Sequence, residues 1–449
     1  MSSEQSFDVV VIGAGASGTL LAHQYSRHAR PGAQLALVAA GARPGRGVAY
    51  ETPFLANVLN VPAGNMSAYP DDSQHFVRWL VSRRPEADAG TFAPRCVYGD
   101  YLSEILAETL RSQSVQLVDG TAVGLSRGNG LWTVELKDGT RLAAHSVVIA
   151  TGNALIPADP LDVSGIAPFY RGTPWAVDAV RGLPGDDVVL MIGTGLTTVD
   201  VALSLRESGH TGAIHAVSRH GKLYRHHQPY TPQLLETLPR EFSSPRGALR
   251  WVRTAIATLQ NTGGDWRAVV DSLRPHVPVI WRSWSMPQRA SFLRHIRNLW
   301  DIHRHRMAPE VYEQLHRLLS DGTLTIHAGR LLKAETVGAQ AGITIRSAQT
   351  GDMVVVLADR VINCTGPSRN YSKTDIPLIA AMREQGLLIP DRLGLGVETD
   401  EQGRLIGSNG SSIQNLFTIG PLRIPALFES IAIPEIRAQA DTLGRLLAG

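Results

Sequence analysis

One short unit occurs twice in this chain: an apolar strand, a glycine-rich turn and the start of a helix. In the first copy residues 7–12 run into Gly13-Ala14-Gly15-Ala16-Ser17-Gly18, followed by a helical stretch over 19–27 and a strand over 34–39. The second copy begins at 187–192, passes through Gly193-Thr194-Gly195-Leu196-Thr197-Thr198, and continues as a helix over about 199–208 and a strand over 213–217. A strand feeding a tight turn and then a helix is the opening of a βαβ unit. A meander follows each copy, with short strands at 115–118, 132–136 and 140–142 in the first and 323–326, 333–337 and 342–347 in the second. Both copies close on a Thr-Gly pair, Thr151-Gly152 and Thr365-Gly366.

The pattern predicts an α/β fold with two Rossmann-type dinucleotide-binding domains, each with a β-meander, plus a helical insertion. Residues 1–185 form the first part of one dinucleotide-binding domain. Residues 186–366 form an NAD(P)H-binding domain with the insertion at about 244–320. Residues 367–449 return to complete the first domain, with a strand near 415–419 and a helix from about Pro434. Inside the insertion, Leu249, Val252, Ile256 and Leu259 recur at helical spacing after the start signal Ser244-Pro245. Phe292, Ile296 and Leu299 mark a second helix, and Val311, Leu315 and Leu318 a third that stops at Gly322.

The glycines point to dinucleotides for a physical reason. A pyrophosphate needs close backbone approach and free N–H groups, which a glycine turn at a helix N-terminus supplies with a favourable dipole. Gly13, Gly15 and Gly18 meet that need in the first copy, as do Gly193 and Gly195 in the second. There Thr198 takes the third glycine's place and widens the packing of helix on strand. After the following strand, Ser218-Arg219-His220 sets a cation where NAD sites carry an acid, which favours NADPH. The first copy departs from the pattern too. The acid expected after its second strand is replaced by Ala39, and the loss of a charge-assisted hydrogen bond is expected to weaken dinucleotide binding there by roughly ten- to a hundredfold.

Beyond these turns the chain resembles the bacterial FAD/NAD(P)-binding proteins with two dinucleotide-binding domains, distant relatives of N-hydroxylating and Baeyer-Villiger monooxygenases. The resemblance runs through Gly45-Arg46-Gly47-Val48-Ala49-Tyr50, Leu59-Asn60-Val61-Pro62-Ala63, Arg95 with Tyr98-Gly99-Asp100, and Trp300-Asp301. It continues through residues 303–309 and 362–367, Gly420-Pro421, Glu429 and Pro434-Glu435-Ile436-Arg437. It implies FAD on Gly13, Gly15, Ser17 and Gly18, with Arg46, Gly47, Asn60, Val61, Met66 and Ser67 along the flavin and Gly420 and Glu429 closing the pocket. Val123, Thr151, Gly152 and Gly366 join the cofactor-binding candidates, with Thr197, Thr198, Ser218 and Arg219 on the NADPH side. No catalytic side chain is singled out.

Composition removes several alternatives. A formal charge of +3 over 449 residues carries no nucleic-acid signature. No apolar run reaches spanning length, and the start reads as a strand rather than a signal peptide, so the expected setting is the cytoplasm and the expected partner a small-molecule substrate. The oligomeric state is not legible. Cys96 and Cys364 have no dithiol spacing, which argues against a disulfide reductase. In His303-Arg304-His305-Arg306 the histidines are two apart and diverge on a helix, so no metal site is expected; cations near a helix end or a phosphate contact fit better. His226 and His227 are loop residues that could face the nicotinamide. Three functions stay open: an NADPH-dependent flavin monooxygenase, an oxidoreductase that inserts no oxygen, and a cofactor binder without turnover.

Overall fold

The computed structural model describes residues 5–41, 43–153 and 157–449. Its strands, in chain order, are β1 (Gln5–Ile12), β2 (Leu35–Ala39), β3 (Val115–Asp119), β4 (Ala122–Gly128), β5 (Leu131–Leu136) and β6 (Arg141–Ile149). Next come β7 (Tyr170–Arg171), β8 (Val189–Ile192), β9 (Ile214–Ser218), β10 (Leu324–Val337), β11 (Gln340–Ser347), β12 (Met353–Ala358) and β13 (Arg360–Asn363). The last are β14 (Arg404–Ile406) and β15 (Ser412–Thr418).

Two mixed sheets result. In the first, the parallel run is β3-β2-β1-β6-β15, with β14 at its edge and β4 and β5 attached as a hairpin. In the second the parallel run is β10-β9-β8-β13-β7, extended by β11 and β12. The first four strands of each run share one order, which reverses beside β1 in one and β8 in the other, while the fifth is the last of its run in the chain for β15 and the first for β7. Such a switch point leaves a crevice at the carboxyl ends of the strands, where ligands bind in open α/β sheets.

Burial explains the apolar runs. Val9 and Val11 enter the core on one face of the first sheet, Val10 and Ile12 the core on the other. A strand covered on both faces has no polar alternation. Helix Ile433–Ala448 lies across helix Ala16–His28 on the first of these faces. At the crossing Gly444 leaves so little space that a Cβ would lie 2.9 Å from Cβ of Gln24.

The meanders differ from the sequence reading in a consistent way. The strand expected at 140–142 runs on to 149 as one strand, β6, starting at Arg141, and residues 324–337 form one strand, β10. Each changes partner along its length. Residues 324–328 of β10 pair parallel with β9, and 329–337 pair antiparallel with β11. The insertion is also more broken than its stripes indicate. Helix Pro245–Gln260 starts at its Ser244 cap, whose side chain accepts from Gly247 N–H. However, Phe292 and Leu299 lie on separate helices, Met286–His295 and Arg297–Arg304, parted at Ile296. Helices Trp266–Ser272 and Val277–Ser283 are additional.

The two glycine turns are built alike. Gly13 N–H donates to Val38 O at 3.0 Å and Gly193 N–H to Val217 O at 2.8 Å. Gly13 has φ +112° and Gly193 φ +128°, and a Cβ there would sit 2.5 Å from Ala150 O or 2.6 Å from Cys364 O. Both positions therefore exclude any other residue. Gly338, with φ +60° and open space, supplies a control. Gly193→Ala is expected to cost the roughly 1–3 kcal/mol of a strained backbone plus the carbonyl clash, and Gly338→Ala only about 1–2 kcal/mol. Thermal melting of the two variants should show the larger fall for Gly193→Ala.

Candidate functional site

Gly13 and Gly15 have different tasks. A Cβ on Gly18 would lie 1.9 Å from Gly13 O, so Gly13 and Gly18 serve the packing of strand, turn and helix. Gly15 has ordinary φ −79°, caps helix Ala16–His28, and a Cβ there would meet only Gly47 Cα at 3.5 Å. The fold tolerates a side chain at Gly15, so its bareness points outward, to a ligand. In the second turn a Cβ at Gly195 would lie 3.7 Å from the Tyr224 ring. Thr198 is buried at the third position, and its N–H reaches Gly195 O at 3.1 Å, tightening the first turn of helix Leu196–Glu207.

The second turn opens, through Gly195, Leu196 and Thr197, onto a cleft of about 590 Å³ between the sheets. Asn60, Val61, Met66 and Glu429 line it from one side and Gly195, Thr197 and Gly366 from the other. Ile431, Ala432 and Ile433 bring the N-terminus of the last helix to the same wall, so its positive dipole end faces the cleft. At the end of β6 the Oγ1 of Thr151 and Oδ1 of Asn153 are buried without a hydrogen-bond partner among the described residues. Buried polar atoms left bare are costly, and a polar ligand at the switch point satisfies them. These features fit a dinucleotide.

Several nominated side chains are committed elsewhere. The Arg46 guanidinium is bound to Asp100. Ser67 donates its hydroxyl to Asp72 O at 2.6 Å and accepts on its own carbonyl from Arg437 at 2.8 Å. Glu429 accepts from Arg304 Nη2 at 2.9 Å and from the Trp300 indole N–H at 3.2 Å. Ser17 packs beside Gly420, where a Cβ would sit 2.6 Å from its Oγ. The Gly152 carbonyl accepts from the Tyr371 hydroxyl at 2.8 Å. Val123 is half-buried at a bulge of β4. Ser218 bonds Thr194 side chain to side chain at 2.8 Å, and Arg219 stands exposed just past β9.

The run at 303–306 is corrected by the structure. Neither arginine is a free cation for phosphate: Arg304 is buried against Glu429 and Glu435, and Arg306 against Asp271. His303 donates Nδ1–H to Leu299 O at 2.7 Å, whereas His305 lines the cleft, where burial pushes it down to about 3. His227 donates Nε2–H to Asn60 O at 3.0 Å, tying the two halves together, and His226 stacks on Tyr312. Both cysteines are free, and burial pushes the Cys364 thiol far up, so it carries no thiolate. No helix among the described residues is long and apolar enough to cross a membrane.

Two cleft-side features, and one in a separate hollow, lie outside the sequence reading of the site. Arg95 bridges to Asp200 at 2.9 Å across the two halves. Arg369 lines the cleft with its Nε buried and no hydrogen-bond or ion-pair partner among the described residues, and burial pulls its pKa down to about 10. Asp119, opposite Ala39 in the β2–β3 register, shares with it a hollow of about 490 Å³. Only Asp119 had a readable signal, as an acid ending a strand just before a glycine turn.

Two domains, each built on a mixed sheet whose parallel strands open on a glycine turn, give the chain a two-domain dinucleotide-binding fold. Residues 10–154 match the family model described as FAD-NAD(P)-binding. Among solved structures the chain is similar to the L-lysine 6-monooxygenase of Pseudomonas syringae, at 15% identity over 98% of this chain and 99% of that one, with a TM-score of 0.69. It is similar to the ornithine N-hydroxylase of Kutzneria sp. 744 at 16% identity over 98% and 99%, with a TM-score of 0.66. The thioredoxin reductase of Lactococcus lactis shares the fold at 14% identity over 98% and 97%, with a TM-score of 0.55.

Two measurements test the site. Gly15→Ala should fold normally yet lose FAD during purification; a folded variant with full flavin content removes Gly15 from the pyrophosphate site. The second concerns Asp200, whose pKa burial raises from 3.8 to about 6 against the opposing pull of Arg95. Below 3.8 both folded and unfolded chains hold this proton, and above about 6 neither does. Between these values only the folded chain holds it, so this group makes stability fall as pH rises, by at most about 1.4 kcal/mol per pH unit. The melting temperature of wild type relative to Asp200→Asn should therefore fall from pH 4 to pH 6.5.

Proposed function

We propose that the protein is an FAD-dependent oxidoreductase that takes hydride from NADPH, and that it acts as a monooxygenase on a small molecule. The observation carrying this reading is the pair of like-built glycine turns, each opening a helix at the switch point of its own sheet. In this reading the residues of the first sheet, with 367–449, hold FAD and those of the second hold the nicotinamide cofactor; the boundary expected at 185/186 moves to before β7, which pairs with β13 in the second sheet. FAD, when bound, supplies the hydride and oxygen chemistry, leaving binding, orientation and exclusion of water to the protein.

Gly15 and the first N–H groups of helix Ala16–His28 receive the FAD pyrophosphate. With Ala39 unable to bind the adenosine ribose, Asp119 takes its hydroxyls from the neighbouring strand, in the hollow the two residues share. Gly195 and helix Leu196–Glu207 do the same for the second pyrophosphate, and Arg219 grips the 2′-phosphate through its planar fork of donors. Arg369, with no hydrogen-bonded partner among the described residues, offers a cation to an anionic group in the cleft. The N-terminus at Ile433 favours negative charge developing beside it. Trp300, Ile424 and Phe428 keep that wall apolar.

A second reading, oxidoreduction without oxygen insertion, draws support from the fold shared with thioredoxin reductase. The two free cysteines speak against the dithiol version of that chemistry. NADPH should bleach the flavin absorbance, and Arg219→Ala should raise the KM for NADPH tenfold or more while leaving that for NADH nearly unchanged. With isotopically labelled oxygen, one labelled atom should enter the product. Equal effects on both cofactors would remove Arg219 from phosphate recognition, and turnover without oxygen or label would move the assignment to the second reading.

A further inference from the structure

We propose that the helical segment holds an uncharged, largely apolar small molecule, seated between Val252 and Ile256 on one side and Trp281 and Trp284 on the other, beside the cleft. The inference rests on reading the cleft as the redox site and names the substrate class that site serves. A hollow of about 270 Å³ lies there, walled almost wholly by aliphatic and aromatic side chains. An apolar cavity of about 150 Å³ takes up benzene, so this one admits about two fused rings.

Its polar groups are already used. The Trp281 indole N–H donates to Pro425 O and that of Trp284 to Phe242 O, each at 2.8 Å. His303 spends Nδ1–H on Leu299 O, and burial keeps its ring neutral. The charged lining side chain, Arg253, is solvent-exposed. A ligand ammonium would thus be desolvated among indole faces without a partner, at a cost of several kcal/mol, and a carboxylate would meet only Arg253 at the exposed rim, where water screens the pair. An uncharged ring system meets no such penalty and gains from each buried apolar surface.

The hollow and the cleft share two wall residues, Trp300 and Phe428. Phe428 stacks on Trp281 at 4.7 Å between centroids and meets Phe292 edge-on at 5.3 Å. Its backbone is strained, with φ +61° and ψ −48°, and Glu429 N–H donates to Leu427 O at 2.8 Å in a γ-turn. Glu429, clamped by Arg304, also accepts from the Trp300 indole, so one carboxylate anchors both partition residues. Strain kept between two cavities marks a partition with a task, here the passage of a reacting group from hollow to cleft.

The test is calorimetric titration of the full-length, FAD-loaded protein, without NADPH, with three probes of one shape: neutral 2-naphthol, anionic 2-naphthoate and cationic naphthylmethylammonium. 2-Naphthol should bind with a stoichiometry of one and at least tenfold more tightly than either charged probe. Val252→Phe/Ile256→Phe, verified as folded by circular dichroism and melting, should weaken 2-naphthol binding tenfold or more by filling the hollow. The proposal is overturned by absence of saturable binding, by equal affinity for a charged probe, or by affinity unchanged in the folded double variant. It is overturned equally if sedimentation shows a dimer that Val252→Asp dissociates, because a second copy then covers this face. Flavin bleaching by NADPH is read separately. Its failure would sink the redox reading while leaving the titration to decide the pocket.

Discussion

Two backbone carbonyls, those of Ala150 and Cys364, press on Gly13 and Gly193 so closely that neither glycine could carry a side chain. Each contact joins the end of a first strand to the residue that follows the adjacent fourth strand, and so sets where the chain leaves the sheet. The helix that follows must then begin at the switch point with its free N–H groups aimed into the crevice. Because this is done twice, each sheet presents one such helix start, and that of the second sheet lines the cleft. The remaining architecture holds these two starts at a fixed separation.

That separation is maintained by polar links whose burial makes them unforgiving. Arg95 with Asp200, and His227 with the Asn60 carbonyl, join the first half to the second. Arg304 with Glu429 joins the helical segment to the returning chain. Removing one member of a buried pair strands the other charge, typically at about 3–5 kcal/mol. Arginines and acids around the cleft are therefore mostly occupied with one another, and the bare Arg369 stands out against that background.

Features with a local cause were legible in the sequence. The glycine turns, the doubly buried strands and the stripe of helix Pro245–Gln260 each follow from short-range pattern, and the structure contains all three. Features that depend on distant partners were not. Nothing near residue 143 tells that β6 exchanges β5 for β15 along its length, and nothing in the stripe through Phe292 and Leu299 tells that the helix breaks at Ile296. The same limit governs side chains. Arg46, Ser67 and Glu429 sit in segments that suggested cofactor contact, yet their charges and hydroxyls are taken up by Asp100, Asp72 and Arg304. Asp119 escaped notice because it neighbours Ala39 only across a strand pair.

The place of β15 in the first sheet bears on how the protein is made. Residues 147–149 of β6 pair with 416–418, and the helix on Ala16–His28 begins only at Ile433. A nascent chain emerging from the ribosome thus carries β6 with an open edge and the first helix with a bare face for more than two hundred and fifty residues. The second sheet, spanning 170–363, can close during that interval. Folding is then vectorially inverted: the later domain matures first, and the earlier one waits, exposed to edge-to-edge association and chaperone capture, until the tail of the chain arrives.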